Sequence, residues 1–217
     1  MSTMPGINLE KIYLSDSYYH VYSRGTNQDI IFRDDEDYAV FLNLFKRYLS
    51  DSPVQDQQGR EYLWLHDQIE LLAYCLMPNH FHILVTPLVD GGVSKFMQRL
   101  QTAYTMYFNK KHKRSGSLFG GTYKAQHVDK DEYLKYLFSY IHLNPAKLFD
   151  SRWKEEGAKN LKKLKRQVME YPYSSIYDYI SSNFTIINPR YFPNYFEKSA
   201  DFESQILFWL SFKDKKK

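Results

Sequence analysis

The sequence contains almost no cysteine and no long apolar run. Among its 217 residues only Cys75 carries a thiol, so neither an internal disulfide nor a cysteine-based zinc site is available. No apolar stretch approaches the roughly 20 residues that a membrane-spanning helix needs. The opening residues, MSTMPGINLE, lack the basic start and apolar stretch of a secretion signal. We therefore expect a cytoplasmic protein without a membrane partner, in which any metal ligands are histidines and oxygen donors.

Acidic residues are missing from the middle of the chain. The net charge is +4, but residues 1–90 contain 6 Lys/Arg against 13 Asp/Glu, so the positive charge is concentrated after them. Each lysine or arginine that meets a phosphate releases condensed counterions, so a cationic stretch suits a polyanion-binding face. A solvated helix end is an equally good interpretation of the charges alone. No carboxylate lies between Asp90 and Asp129, where seven cationic residues occur: Lys95, Arg99, Lys110, Lys111, Lys113, Arg114 and Lys124.

The hydrophobic pattern predicts one α+β domain with an appended segment. Aromatic and β-branched residues at 17–24, and apolar runs at 69–77 and 81–86, are typical of strands. Apolar residues at helical spacing predict helices at 38–49 and 93–111, and a last core helix that ends near Asn144. This order of elements favours a largely antiparallel sheet covered by helices. We predict a domain over residues 1–150, with a basic and aromatic extension over 151–217 that packs on it or continues it.

His80-Phe81-His82 begins the second strand of a predicted hairpin. Residues i and i+2 of a strand point to the same side, so the two imidazoles can share one metal ion while Phe81 joins the core. A hard ion at this site would need further oxygen donors. Two hydrogen-bonded histidines without a metal are the alternative interpretation.

Tyr140 and Asn144 are four residues apart, so they project from one face of the last core helix. A phenol with a pKa of about 10 attacks a phosphodiester only with help from a Lewis acid, which the histidine pair could bind with the amide oxygen of Asn144. Tyr133 and Tyr136 extend a packing stripe through the same helix. On spacing alone, Tyr136 is nearly as good a nucleophile as Tyr140.

Three ordered motifs resolve this choice by resemblance. They are MPNHFHILV at 77–85, YIHLNPAK at 140–147 and YPYSS at 171–175. Together with YHVYSRG at 19–25 and GSLF at 116–119, they resemble the HUH single-tyrosine transposases, and most of all their REP-associated branch. The resemblance covers about residues 18–180, and residues beyond it match no motif of that family.

The resemblance implies a fold and a set of site residues. It implies that His80 and His82 are metal ligands, that Asn144 is the third ligand and that Tyr140 is the nucleophile. The cofactor would be a divalent ion, Mg²⁺ or Mn²⁺. The implied fold is a ferredoxin-like or RRM-like antiparallel sheet with the histidine strand at its centre and the tyrosine helix packed nearby.

The implied activity is metal-dependent cleavage and strand transfer of single-stranded or hairpin DNA through a 5′-phosphotyrosine intermediate. The enzyme would act as a monomer or homodimer. Arg99, Arg114 and Lys124 are candidate phosphate contacts from the basic stretch, and Arg24 is added by resemblance. His127 and His142 are further candidates for metal or phosphate contacts.

Two other functions fit the same residues. A domesticated DNA-binding protein would keep the fold and the basic face without cutting. An unrelated hydrolase with an HxH metal site would act on a small phosphoester. The intact set of His80, His82, Tyr140 and Asn144 favours the strand-transfer enzyme.

Overall fold

A four-stranded antiparallel sheet forms the centre of the computed structural model, which describes residues 17–195 and 199–211. Its strands are β1 (Tyr18–Arg24), β2 (Ile69–Met77), β3 (His80–Pro87) and β4 (Lys124–Val128). Their order across the sheet is β2-β3-β1-β4, and all three pairings are antiparallel. The chain therefore has the predicted α+β, ferredoxin-like arrangement, with the histidine strand β3 inside the sheet.

Among the described residues, three α-helices precede Asn144 and five follow it. The first helix begins where the carboxylate of Asp34 accepts a hydrogen bond from the Asp37 backbone N–H at 3.1 Å, a typical N-cap. No helix among the described residues is long and apolar enough to cross a membrane. The helices are α1 (Asp35–Leu49), α2 (Gly92–Lys111), α3 (Asp131–Leu143), α4 (Ala146–Phe149), α5 (Trp153–Glu156), α6 (Leu161–Met169), α7 (Ile176–Ser181) and α8 (Ser199–Ser211).

The sheet separates two hydrophobic cores. On one face, alternate residues of β3 pack with α1 and α2. β2 contributes side chains to both cores, and on the other face its residues Ala73 and Cys75 pack with Leu84 of β3 and with α3. Leu164 of α6 and Phe202 of α8 are buried in this second core. Residues on both sides of position 150 thus share one core, although the predicted division of the chain there stays a prediction.

The C-terminal part of the chain also covers the free edge of β2. Leu76 N–H donates to the Tyr173 carbonyl at 2.8 Å, and Ser175 N–H donates to the Tyr74 carbonyl at 3.0 Å. An uncovered edge strand presents unpaired backbone groups that can pair with another chain. The YPYSS motif at 171–175 therefore covers the outer edge of β2, the strand that neighbours the histidine strand β3.

The turn between β2 and β3 is clamped by the loop after β1. The Pro78 carbonyl accepts from the Ile31 N–H at 2.8 Å, and the Gly25 N–H donates to the Asn79 carbonyl at 2.9 Å. A Cβ atom at Gly25 would lie 2.1 Å from the Asp29 carbonyl oxygen, so only glycine fits this close approach. Hydrogen bonds from this loop therefore fix the backbone of the two residues immediately before His80.

Glu70 is a carboxylic acid buried in β2, only 2% exposed. Burial raises its pKa from 4.5 to about 7, against the lowering effect of nearby His66. The Asn188 side-chain amide donates to its Oε1 at 3.2 Å. Between pH 4.5 and about 7 the folded protein keeps a proton here that the unfolded chain loses, so this group makes the protein less stable as the pH rises.

Glu70→Gln should therefore stabilise the protein at pH 8 by on the order of 1–3 kcal/mol and have little effect at pH 4.5. The glutamine keeps the Oε1 acceptor for Asn188 and removes the cost of a buried charge. Urea unfolding at several pH values measures the difference. The same substitution at exposed Glu61 is the matched control. A Glu70→Gln variant less stable than wild type at pH 8 would contradict this account.

Candidate active site

β1, β3 and α3 bring the predicted ligands and the predicted nucleophile into one cleft. His80 and His82 project from the face of the sheet on which α3 packs, and their ring centres lie 5.1 Å apart with planes at 89°. The ring of Tyr140 meets that of His82 edge-on, at 5.6 Å between centres. The cleft has a volume of about 360 Å³, and its polar lining residues include Arg24, His80, His82, Tyr140, Asn144 and Lys147.

Each histidine is held through its Nδ1 atom. His80 Nδ1 lies 2.6 Å from Oδ1 of Asn79, and His82 Nδ1 lies 2.8 Å from Nε2 of His20. His20 extends from β1 on the same face of the sheet and is 6% exposed. Each ring therefore has one nitrogen bonded within the protein, which leaves Nε2 as its candidate ligand atom.

The electrostatic environment keeps both imidazoles neutral. Burial, followed by the charges of Arg24 and Lys147, lowers the pKa of His80 to about 4. Burial and then the neighbouring His20 and His80 lower the pKa of His82 to about 2. A neutral imidazole has the lone pair that a metal ion requires, so both rings are in ligand form at neutral pH.

Asn144 follows the last turn of α3. Its side-chain nitrogen donates to the Tyr140 backbone carbonyl at 2.8 Å, which leaves the amide oxygen for another partner. Burial raises the pKa of the Tyr140 phenol, while the charge of Arg24 and a hydrogen bond with Asn144 act in the opposite direction. The phenol is therefore protonated at neutral pH and needs help to act as a nucleophile.

The donor set of the cleft fits a divalent ion. Two imidazoles bound to one ion at about 2.1 Å have ring centres about 5 Å apart, close to the observed separation. An amide oxygen adds the harder donor that Mg²⁺ or Mn²⁺ requires. His80, His82 and Asn144 could therefore hold such an ion, although its binding stays a prediction.

A second group of potential ligands lies in the other layer of the fold. Ligand atoms of Asp34, Asp37 and His112 lie within 4.8 Å of one another. However, the ammonium of Lys111 is 2.6 Å from Asp34 and 2.9 Å from Asp37. Because this cation already compensates the carboxylates, the histidine cleft is the better candidate for a metal ion.

The geometry favours Tyr140 over Tyr136 as the nucleophile. Tyr140 contacts the rings of both His20 and His82. Tyr136 lies one helical turn earlier, stacks on Tyr140 at 6.2 Å and packs against Trp209. A full turn separates it from the histidines, whereas Tyr140 touches them. The role of Tyr140 as nucleophile nevertheless stays a prediction.

The four candidate DNA contacts divide between the two layers. Arg24 lines the cleft. Lys124 is paired in the sheet with Tyr22, and Tyr22 with His82, so all three share a face. Arg99 lies on α2, in the opposite layer, and Arg114 just beyond α2 is bonded to Asn109 and Ser117. As DNA contacts, all four stay predictions.

The basic stretch is less uniform than its sequence indicates. Lys111 is bound by three carboxylates of another segment, those of Asp34, Glu36 and Asp37. The interpretation of this stretch as one without counter-charge is therefore wrong at Lys111, because the helix that supplies the acids is more than 70 residues away in sequence.

Several residues of the cleft were missed in the sequence. Lys147 lines it, and the Lys154 ammonium lies 5.0 Å from the centre of the Tyr140 ring. His20 and Tyr22 were also missed, although they alternate along β1 with the predicted contact Arg24, which was a signal that the three share one face. Nothing in the spacing indicates Lys154, which approaches only because α5 folds back towards α3.

His127 and His142 lie outside the cleft. His127 extends from β4 next to Tyr19, whose side chain belongs to the opposite face of the sheet. Both ring nitrogens of the buried His142 are bonded within the protein, one to the Phe138 carbonyl and one to Ser175 Oγ, each at 2.8 Å. His142 is therefore a structural residue, and its interpretation as a metal or phosphate contact is wrong.

Comparison with known proteins agrees with this arrangement of a central histidine strand beside a tyrosine helix. Residues 60–144 match the family described as "Transposase IS200 like". The chain shares its fold with a solved REP-associated tyrosine transposase bound to a REP hairpin. The TM-score is 0.51 at 14% identity, over 83% of this chain and 86% of the other. No match was found among curated proteins. These findings confirm the resemblance to the REP-associated transposases.

Metal binding should depend on the cleft and not on the acidic cluster. We expect His80→Ala and His82→Ala each to weaken Mn²⁺ binding by at least tenfold in calorimetric titration, because each removes one of two imidazole donors. Asn144→Ala should have a smaller effect. Asp34→Asn, which keeps a good N-cap residue, is the control in the second cluster and should bind Mn²⁺ as wild type does. The reverse pattern would assign the ion to the cluster on α1 and α2.

Proposed function

We propose that this protein cleaves and rejoins single-stranded DNA beside a hairpin through a covalent bond to Tyr140. One observation carries the proposal: the Tyr140 ring contacts His82 inside a cleft that also contains His80, Asn144 and two cationic side chains. The transposase family match supports the reaction class. The hairpin bound by the structural relative supports the same kind of partner for this chain.

The cleft suits a phosphodiester because its charged lining residues, Arg24 and Lys147, are both cationic. We place the scissile phosphate between them and Tyr140. Lys124 lies on the same face of the sheet, two strands from His82, or about 10 Å away. It would contact the DNA backbone on the side of the cleft where β4 lies.

His80, His82 and Asn144 would hold a divalent ion, Mg²⁺ or Mn²⁺. When bound, such an ion polarises a non-bridging phosphate oxygen and orients the phosphorus for attack, which typically contributes several kcal/mol. The protein itself fixes the positions of the phenol and of the phosphate, because Tyr140 and Asn144 occupy one helix face and Arg24 faces them from β1.

The covalent step forms a bond between the Tyr140 oxygen and phosphorus and breaks the bond from phosphorus to the 3′ oxygen. The phenol proton leaves as attack proceeds, and the departing 3′ oxygen gains a proton, so no net proton is consumed. The ammonium of Lys154 over the ring and the charge of Arg24 favour the anionic form of the phenol. Because the phosphotyrosine retains the energy of the phosphodiester, another 3′-hydroxyl can reverse the step without ATP.

Tyr140→Phe should abolish the covalent protein–DNA band on a denaturing gel, while hairpin binding stays within about twofold of wild type. The substitution removes one oxygen and keeps the ring that packs on His82. Tyr136→Phe is the matched control, one turn away on the same helix, and should retain the band. Substrates are hairpins with a single-stranded flank, tested with Mn²⁺ and with Mg²⁺.

The same experiment separates the alternatives. A band that survives in Tyr140→Phe and disappears in Tyr136→Phe would move the nucleophile. Hairpin binding without a band under any condition would indicate a domesticated, non-cleaving DNA-binding protein. Hydrolysis of a small phosphoester without DNA binding would indicate an unrelated phosphoesterase.

DNA binding should depend most on cations that share the face of the cleft. Arg24→Gln and Lys124→Gln should each weaken binding to a flanked hairpin and reduce the slope of log K against log salt by about 0.7, as expected when one single-strand phosphate contact is lost. Arg99→Gln and Arg114→Gln test the other layer. Fluorescence anisotropy at several salt concentrations measures all four variants.

Unchanged slopes for Arg24→Gln and Lys124→Gln, with reduced slopes for Arg99→Gln and Arg114→Gln, would place the DNA on the α2 layer. That outcome would contradict the assignment of the cleft as the DNA-cleaving site. Flanked hairpin should also bind more tightly than plain duplex, because exposed bases can stack on aromatic side chains.

A further inference from the structure

Both histidines of the cleft have a side-chain partner at Nδ1, and the two partners are Asn79 and His20. An imidazole that binds a metal through one nitrogen carries a proton on the other. The group that accepts that proton sets the tautomer and the orientation of the ring. The identity of these partners therefore bears directly on how the proposed site is assembled.

The tautomer of His80 follows from a chain of hydrogen bonds. The Gln28 backbone carbonyl can only accept, and it lies 3.2 Å from the side-chain nitrogen of Asn79. The amide of Asn79 is thereby oriented with Oδ1 towards His80 Nδ1, at 2.6 Å. Because Oδ1 can only accept, His80 carries its proton on Nδ1. The lone pair of His80 is then on Nε2.

The partner of His82 is another imidazole. His20 Nε2 lies 2.8 Å from His82 Nδ1, and the two rings are nearly parallel, with centres 5.0 Å apart. Tyr22 and Tyr140 pack against the His20 ring and restrict its rotation. When His82 offers Nε2 to an ion, its Nδ1–H donates to His20 Nε2, and His20 carries its own proton on Nδ1.

We propose that Asn79 and His20 are positioning residues that hold His80 and His82 in the tautomer whose Nε2 atoms can bind one ion. This inference rests on the proposed metal-dependent function. Asn79 acts from the clamped turn before β3, and His20 acts from the neighbouring strand β1. Neither residue is itself a ligand.

The chemistry of the two partners has a consequence for the substrate. Metal-binding histidines commonly donate to a carboxylate or a carbonyl. Here both acceptors are neutral side chains, and the residues that line the cleft include no carboxylate. The positive charge of a bound ion would then be left for the phosphate of the substrate, together with the charges of Arg24 and Lys147.

The test compares variants that keep or remove an acceptor at each position. His20→Gln can place an amide oxygen near the position of Nε2, whereas His20→Phe keeps a ring and removes the acceptor. Asn79→Asp keeps an oxygen for His80, whereas Asn79→Leu removes it. Calorimetry measures Mn²⁺ affinity, and long-range ¹H–¹⁵N NMR reads the tautomers of His80 and His82 in the metal-free protein.

We expect His20→Phe and Asn79→Leu to bind Mn²⁺ 10–100-fold more weakly, the range typical of second-sphere partners, with loss of the Nδ1–H tautomer at the adjacent histidine. His20→Gln should stay within about threefold of wild type, and Asn79→Asp should bind Mn²⁺ at least as tightly as wild type, because its carboxylate also accepts from His80 Nδ1. Equal Mn²⁺ affinity in all four variants, or equal weakening whether or not an acceptor remains, would overturn the inference.

The NMR measurement separates this inference from the proposed function. If wild-type protein shows the Nδ1–H tautomer at both histidines but binds no Mn²⁺, the positioning role stands and the metal site fails. If the wild-type protein binds Mn²⁺ through His80 and His82 but shows the opposite tautomers, the positioning role fails and the metal site stands. Should His20→Phe not fold, the two Asn79 variants test the same claim at the other histidine.

Discussion

Side chains alternate along β3, and this alternation determines which of them pack in the core and which line the cleft. Phe81, Ile83 and Val85 are buried against α1 and α2, while His80 and His82 open into the cleft on the other face. A slip of one residue in pairing would turn the histidines towards α1 and α2 and turn Phe81 into the cleft. The register with β1 prevents this slip, since it places Tyr22 opposite His82 and Arg24 opposite His80. The same pairing that builds the core therefore aligns Arg24 with the two proposed metal ligands.

The position of α3 depends on residues outside the segment that matches the transposase family. That segment, residues 60–144, contains the histidines, Tyr140 and Asn144. However, α3 packs in a core that includes Leu164 and Phe202, and Lys154 approaches the Tyr140 ring from α5. The burial of Leu164 and Phe202 stabilises the packing of α3 against the sheet. The C-terminal region therefore contributes to the cleft by supporting the helix that carries Tyr140, the proposed nucleophile.

Much of the fold was predictable because its signals are local. Helical and strand periodicity predicted α1, α2 and the β2–β3 hairpin close to their observed bounds. The HxH spacing also predicted that His80 and His82 lie on one face of β3 and Phe81 on the other. Contacts between distant segments were not predictable in this way. The acids of α1 that bind Lys111, the approach of Lys154 to Tyr140 and the bond from His20 to His82 each join residues far apart in sequence. Composition likewise could not show that Arg99 and Lys124 lie in different layers.

Tyr140 is the residue proposed to form the covalent bond to DNA, and peptide mapping of the adduct identifies the residue that is modified. Trypsin cuts after Lys135 and Lys147, so one peptide contains both Tyr136 and Tyr140. After nuclease trimming, fragmentation mass spectrometry locates the attached nucleotide within that peptide. We expect a 5′-phosphonucleotide on Tyr140, formed only with a divalent metal ion. A nucleotide on Tyr136 or on any other tyrosine would contradict it.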